Sequence, residues 1–180
     1  GTFIMVATYS LFYIMTAFAQ AYSRTPATLS EAGYPMGLGI PANTFTGLLL
    51  MSAIVFAIFI SISGLYADKI GRRKWLIWTT VSILIFALCM PLFLGNGTPT
   101  SVFAFLVIGM ALMGMTFGPM AALLPELFPT EVRYSGASLA YNIASIIGAT
   151  IAAMISLKIN ALYGLMGVGI YLAINAFLTL

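Results

Sequence analysis

The sequence contains no histidine, one cysteine and very few charged residues. Charged side chains make up 6% of the 180 residues, whereas 62% are hydrophobic; an ordinary soluble domain has about 25% charged residues. A soluble fold of this composition could not cover its own surface, so we expect a membrane protein. The lack of histidine excludes a histidine-based metal site or proton relay, and the single cysteine, Cys89, excludes an internal disulfide. We expect Cys89 to be a buried, inert thiol, and we expect no cofactor.

The few charges are unevenly distributed along the chain. Seven basic and four acidic residues give a formal net charge of +3, and five of these eleven residues lie between residues 68 and 74. A short basic cluster between apolar runs is typical of a loop beside anionic lipid headgroups. We therefore expect membrane lipids, and no nucleic acid, among the partners.

Six apolar runs are long enough to cross a bilayer, for which about 20 residues are needed. They predict an all-α membrane protein with six transmembrane helices. The predicted spans cover residues 3–22, 43–67, 75–94, 102–124, 134–157 and 162–180. The chain starts at Gly1 and both ends lie in apolar runs, from which we expect a fragment of a longer membrane protein.

Polar side chains inside the spans are candidates for a substrate cavity. In the first span, four of them are spaced i, i+4, i+7 and i+11 and so share one helical face. Hydrogen bonding between helices and the lining of a cavity both account for this pattern. The candidate cavity residues are Tyr9, Tyr13, Gln20, Asn142 and Asn175. Because no predicted span holds a charged residue away from its ends, a proton-titrating group is expected outside this chain.

The fourth predicted span contains a pair of glycines four residues apart and, directly after the second, a proline. Gly114 and Gly118 form a stripe of small residues that would let another helix approach closely. Pro119 removes a backbone hydrogen bond and is expected to bend the helix. Inside a membrane the freed carbonyl needs a partner from protein or water, so we expect this span to pack within a bundle.

The loop charges predict the orientation in the membrane. Five basic residues fall on one side and two on the other, and basic loops prefer the cytoplasm. The first group comprises Lys69, Arg72, Arg73, Lys74 and Arg133, and the second comprises Arg24 and Lys158. The connections at 68–74 and 125–133, and both chain ends, are therefore predicted to be cytoplasmic.

Both charged connections resemble those of a known transporter family. Residues 64–74 match every fixed position of the pattern G-x-x-x-D-[RK]-x-G-R-[RK], which resembles the loop motif of the major facilitator superfamily. Residues 125–137 are similar to the P-E-L-F-P-T-x-V-R-x-x-G-A run of its sugar porters and metabolite:proton symporters. The continuation at 138–142 is most similar to the bacterial metabolite:proton symporters.

The resemblance implies a fold and a function. The chain would be the C-terminal half, spans seven to twelve, of a fold built from 3+3 inverted repeats. Its partner would be a missing N-terminal six-helix half, and it would not be an enzyme. The whole protein would move a small organic metabolite, such as an organic acid or an amino-acid-like solute, by proton symport and alternating access in the bacterial inner membrane. The alternative is a polytopic membrane protein without transport activity, such as a channel, a scaffold or a membrane enzyme.

The charged residues of the two connections are predicted to form a cytoplasmic gate. Asp68 would lie at the C-terminal end of a helix, where a negative charge is unfavourable without a partner. Arg72 lies one turn away, and Glu126 and Arg133 are expected in the same network. Gly64 is expected to permit close helix approach, and Gly71 a positive φ. The predicted gate residues are Gly64, Asp68, Gly71, Arg72, Arg73, Glu126 and Arg133. In the alternative interpretation these charges only fix the topology.

Overall fold

The computed structural model describes residues 2–146, 148 and 152–180, and it is all-helical apart from an isolated bridge between Leu29 and Pro35. The first helical stretch consists of α1, a π-helical turn at Ile14–Phe18, and α2. The helices are α1 (Thr2–Tyr13), α2 (Ala19–Arg24), α3 (Ala42–Ile70), α4 (Arg72–Leu88), α5 (Met90–Leu94), α6 (Pro99–Glu126), α7 (Arg133–Ile146) and α8 (Ala152–Thr179).

Three of the described helical segments are long and apolar enough to cross a membrane. They are Ala42–Ile70, Pro99–Glu126 and Met154–Thr179. The prediction of an all-helical fold with apolar spans is confirmed, whereas the count of six spans stays a prediction. On α3 most of the apolar side chains, including Leu50, Met51 and Ile54, are exposed, as expected for a face that meets lipid or another part of the protein.

The first helical stretch runs through the centre of the bundle. Leu11, Ile14, Met15 and Phe18 have no exposed surface, and they belong to a core shared with α4, α6 and α8. At Gly109 of α6 a side chain would collide with Met15, so this glycine lets α6 lie against the central helix. Cys89, between α4 and α5, is only half-buried, in contrast to the buried position that we expected.

The two glycines of the predicted stripe lie where α6 packs against α3. A Cβ atom added at Gly114 would be 2.8 Å from the carbonyl oxygen of Phe56, and one at Gly118 would be 2.6 Å from that of Ile60. Because these neighbours are backbone atoms, neither position has room for a side chain. The stripe therefore sets the distance between two helices that both end at charged connections.

The last helix contains a break that the sequence did not reveal. At Gly164 the backbone has φ 68° and ψ −170°, which is not helical. The predicted gap between the fifth and sixth spans, at 158–161, is instead part of α8. The ring of Tyr34 lies against Gly164, and Asn160 Nδ2 donates to the carbonyl oxygen of Pro35 at 3.0 Å. The long loop at 23–41 is thus attached to α8 at its break.

Candidate functional site: the charged connections

The turn between α3 and α4 depends on one glycine. Gly71 is the single residue between the two helices and has φ 99°, a conformation that residues with a Cβ rarely adopt. Its N–H donates to Ala67 O and its carbonyl accepts from Trp75 N, both at 3.0 Å. The predicted positive φ is confirmed, and the turn holds Asp68 and Arg72 on either side of it.

Arg72 connects the two charged connections through its guanidinium group. Its Nε donates to Asp68 Oδ1 at 2.9 Å, and its Nη1 donates to Glu126 Oε1 at 2.7 Å. The second ion pair joins residues 54 positions apart. We call this arrangement of Asp68, Arg72 and Glu126 the ionic link. It ties the α3–α4 turn to the last residue of α6.

The helix dipoles work against each of these three charges. Asp68 and Glu126 lie in the last turns of α3 and α6, and Arg72 lies in the first turn of α4. Acidic groups are unfavourable at helix C-termini, and basic groups are unfavourable at N-termini. The ionic link offsets these costs. Its hydrogen bonds, first the one to Glu126 and second the one to Asp68, raise the pKa of Arg72 above its usual range. Since the carboxylates are largely exposed, the link is weak enough to break.

Two predicted gate residues do not join the ionic link in the described part of the chain. Arg133 begins α7 and makes no ion pair with any residue that the structure describes, and its Nε is buried without a hydrogen-bond partner there. Arg73 is exposed and is also outside the recorded ion pairs. The prediction that Arg133 shares a network with Glu126 is therefore not matched by this arrangement.

Gly64 does not have the packing role that we expected within this chain. A Cβ added there would meet no described atom within 4 Å, whereas one added at Gly118 would collide with Ser63 and with the backbone of Ile60. The close approach of α3 and α6 therefore depends on Gly118. The open side of Gly64 leaves room for a contact from outside this chain.

The cavity candidates of the first helix have different surroundings. Tyr9 is buried and packs edge to face against Tyr141, with ring centroids 5.4 Å apart. Tyr13 is half-buried beside Phe12, with centroids 5.1 Å apart. Gln20 is half-buried beyond the π-helical turn. That turn inserts about one extra residue into the helical repeat, so Gln20 does not keep the face that it was predicted to share with Tyr9.

The two asparagine candidates also differ. Asn175 is 8% exposed, and its Nδ2 donates to Ser10 Oγ at 3.1 Å. This hydrogen bond joins α8 to α1 inside the bundle, and a role of Asn175 in a substrate cavity stays a prediction. Asn142 is exposed on α7, and its Nδ2 donates to Ser138 O at 2.8 Å. Of the two, only Asn142 presents its side chain to the outside of the described structure.

An apolar cavity of about 280 Å³ lies beside the end of α6, between α1, α6 and α7. Met5, Met120, Leu124 and Tyr141 are among its lining residues, and so is Pro125, the neighbour of Glu126. Tyr141 was not among the predicted cavity residues. Its sequence position, one residue before the candidate Asn142, gave no signal that it would pack on Tyr9.

The carbonyl that Pro119 leaves without a helical donor has a protein partner, as we expected. Proline has no N–H, so the carbonyl oxygen four residues earlier, on Met115, lacks its helical donor. The indole Nε1 of Trp75 donates to this oxygen at 2.9 Å. The sequence indicated that this carbonyl needs a partner, but not that the partner is Trp75, three residues after Arg72.

The apolar helices and the ionic link between their charged turns are those of a polytopic membrane protein. Comparison with known proteins gives its family. This chain belongs to the Major Facilitator Superfamily, whose family model matches residues 2–153. The relatives described next are named as transport proteins. The resemblance drawn from the two charged connections is confirmed.

Several curated relatives are similar to the whole chain or to most of it. A Haemophilus influenzae protein named "Putative metabolite transport protein" is 86% identical over 179 residues, which are 99% of this chain and 41% of the relative. The "Inner membrane metabolite transport protein YhjE" of Escherichia coli is 53% identical over 182 residues, 100% of this chain and 40% of the relative. The "Proline/betaine transporter" of Salmonella typhimurium is 31% identical over 138 residues, 74% of this chain and 27% of the relative. No solved structure matches the chain.

The chain spans about two fifths of the length of the first two of these relatives. The activity, substrate and partners of the complete protein are therefore proposals.

Proposed function

We propose that this chain is the C-terminal six-helix part of a secondary transporter, and that the ionic link is its cytoplasmic gate. The transporter would move a small organic metabolite by proton symport and alternating access. The observation that carries the proposal is the position of Arg72, which holds Asp68 at 2.9 Å and Glu126 at 2.7 Å. This contact joins two connections that are far apart in sequence, as a gate between moving helices requires.

The placement of the charges favours a gate over a role in topology alone. Topology needs only basic residues on one side, whereas the link contains two acids at helix ends where acids are unfavourable. An ion pair between largely exposed groups contributes little stability. Such a pair is suited to form in an outward-open state and to break in an inward-open state.

The remaining half of the transporter would be an N-terminal six-helix part, related to this one in a fold of inverted repeats. The length of the relatives supports this proposal. The open side of Gly64 and the exposed apolar face of α3 are suitable contacts for that half. The six spans predicted from the sequence would then be spans seven to twelve, with both charged connections in the cytoplasm of a bacterium whose inner membrane holds the protein.

The substrate class rests on the relatives and on the chemistry of the bundle. The relatives' names refer to metabolites and to proline or betaine. Before Asp68 and Glu126, the helices α3 and α6 contain no charged residue. We therefore place the proton-titrating group in the N-terminal half, while this half would contribute aromatic and amide groups such as Tyr13 and Asn142 to a cavity for a small organic acid or an amino-acid-like solute.

The test compares neutral variants of the link in the full-length transporter. Asp68→Asn and Glu126→Gln are each expected to lower proton-driven uptake into membrane vesicles while expression stays close to wild type. Glu131→Gln is the matched control, because Glu131 is exposed in the same connection and is outside the recorded ion pairs. Uptake that is unchanged in both link variants would refute the gate. No saturable, pH-dependent uptake by the wild type would instead favour a membrane protein without transport activity.

A further inference from the structure

The carbonyl that Pro119 leaves without a donor is bound by a residue of α4, the helix that follows the charged turn. Met115 O is four residues before Pro119 and accepts from Trp75 Nε1 at 2.9 Å. An unpartnered carbonyl in a water-poor environment is costly. The indole therefore removes the cost of the unpartnered carbonyl that Pro119 creates in α6.

A second side chain, on α3 before the turn, lies within hydrogen-bonding distance of the carbonyl next to that of Met115. Ser63 on α3 is fully buried, and its Oγ lies 3.0 Å from Gly114 O. The single hydroxyl proton of Ser63 is shared between Gly114 O and Ile60 O, each 3.0 Å from Oγ. Ser63 precedes the turn and Trp75 follows it, so each helix of the α3–α4 hairpin has a donor within reach of α6. The two acceptors, Gly114 O and Met115 O, are consecutive and lie just before the proline.

The orientation of the indole is fixed by a ring of α3. Trp75 stacks on Tyr66, with centroids 6.0 Å apart and an angle of 17° between the planes. Trp75 is also one turn along α4 from Arg72. A movement of the start of α4 that separates Arg72 from Glu126 would therefore also move the indole relative to Met115.

We infer that Trp75 is a positioning residue that couples the ionic link to the shape of α6 at Pro119. In the linked state the indole supplies the hydrogen bond that the proline removes, and α6 keeps the geometry seen here. When the link opens, the start of α4 carries the indole away from Met115 O, and α6 rearranges around Pro119 to satisfy that carbonyl. This inference rests on the proposed gate and adds a second contact to it.

The test is a double-mutant cycle in the full-length transporter. Trp75→Phe removes the indole N–H but keeps an aromatic ring against Tyr66. Pro119→Ala restores a backbone N–H at the position from which a helix donates to Met115 O, so the carbonyl no longer depends on the indole. Trp78→Phe is the matched control, because Trp78 is 63% exposed on the same helix and its indole makes no recorded hydrogen bond to the described residues.

Two measurements are made on each variant: the thermal midpoint of the purified protein in detergent, and the maximal rate and half-saturation concentration of uptake. With Pro119 present, Trp75→Phe is expected to lower the maximal rate about five- to tenfold with little change in half-saturation, since one partly buried hydrogen bond is lost. In the Pro119→Ala background, the same change is expected to cost less than about twofold. The thermal midpoints are expected to show the same dependence on whether the proline is present.

Equal effects of Trp75→Phe in both backgrounds, or an effect no larger than that of Trp78→Phe, would overturn the coupling. A wild-type protein without saturable uptake would count against the proposed function instead. In that case the thermal midpoints alone decide whether Trp75 acts through the carbonyl that Pro119 frees.

Discussion

Replacing Gly118 by alanine tests whether the contact between α3 and α6 is as close as the structure shows. The added methyl group would collide with Ser63 Oγ, lie 2.6 Å from Ile60 O and lie 3.2 Å from Gly64 N. Two of these three neighbours are backbone atoms, which cannot move without shifting the helix. The substitution therefore forces α3 and α6 apart close to the residues that form the ionic link.

The loss of stability caused by the collision is measured against the same substitution at a glycine that has space around it. Overpacking a close contact costs about 1–3 kcal/mol, whereas glycine to alanine in a helix gains up to about 1 kcal/mol. Gly47 lies in α3, and a Cβ added there would meet no described atom within 4 Å. Gly47→Ala therefore has the same gain in helix propensity without the collision. We expect Gly118→Ala to be less stable than Gly47→Ala by about 1–3 kcal/mol.

The assay is thermal unfolding of the two purified full-length variants in the same detergent, monitored with a spectroscopic signal of tertiary structure. Gly118→Ala is expected to unfold at a clearly lower temperature than Gly47→Ala, which is expected to unfold at the same temperature as the wild type or at a higher one. Equal midpoints for the two variants would show that the collision at Gly118 is absent.

Other contacts in the bundle give three further predictions. Asn175→Ala is expected to lower stability by about 0.6–1.5 kcal/mol through loss of the hydrogen bond to Ser10, with half-saturation for uptake unchanged; a large change in half-saturation would show that Asn175 contacts substrate. Gly164→Ala is expected to cost about 1–3 kcal/mol, because residue 164 has φ 68° and lies against Tyr34; an unchanged midpoint of thermal unfolding would show that the break is not needed. The purified chain of 180 residues alone is expected to transport nothing in vesicles, and saturable uptake by it would contradict the assignment to one half of a transporter.

Local residue chemistry predicted several features of the fold and of the site. Gly71 was expected to have a positive φ because a short turn between two helices requires it. The Gly114 and Gly118 stripe was expected at a close helix contact, and Pro119 was expected to leave a carbonyl in need of a partner. The pairing of Asp68 with Arg72 was expected because they are four residues apart, although the structure places them on two different helices, on either side of Gly71. Each of these depends only on residues that are near one another in sequence.

Features that depend on three-dimensional packing could not be predicted in this way. The donor to Met115 O could have been any polar side chain near α6, and only the fold selects Trp75. Arg133 was placed in the network from its charge, but the start of α7 does not bring it to Glu126. The π-helical turn at Ile14–Phe18 changes the register that was used for Gln20, and no sequence signal marked it.

We propose that Arg72 holds Asp68 and Glu126 together as one working unit. The most direct test measures uptake by the full-length transporter with Arg72→Gln, with Glu126→Gln and with both changes. If the two residues act through one ion pair, the double variant is expected to lose no more activity than the more impaired single variant. Losses that multiply in the double variant would contradict the account, because the two side chains would then act independently.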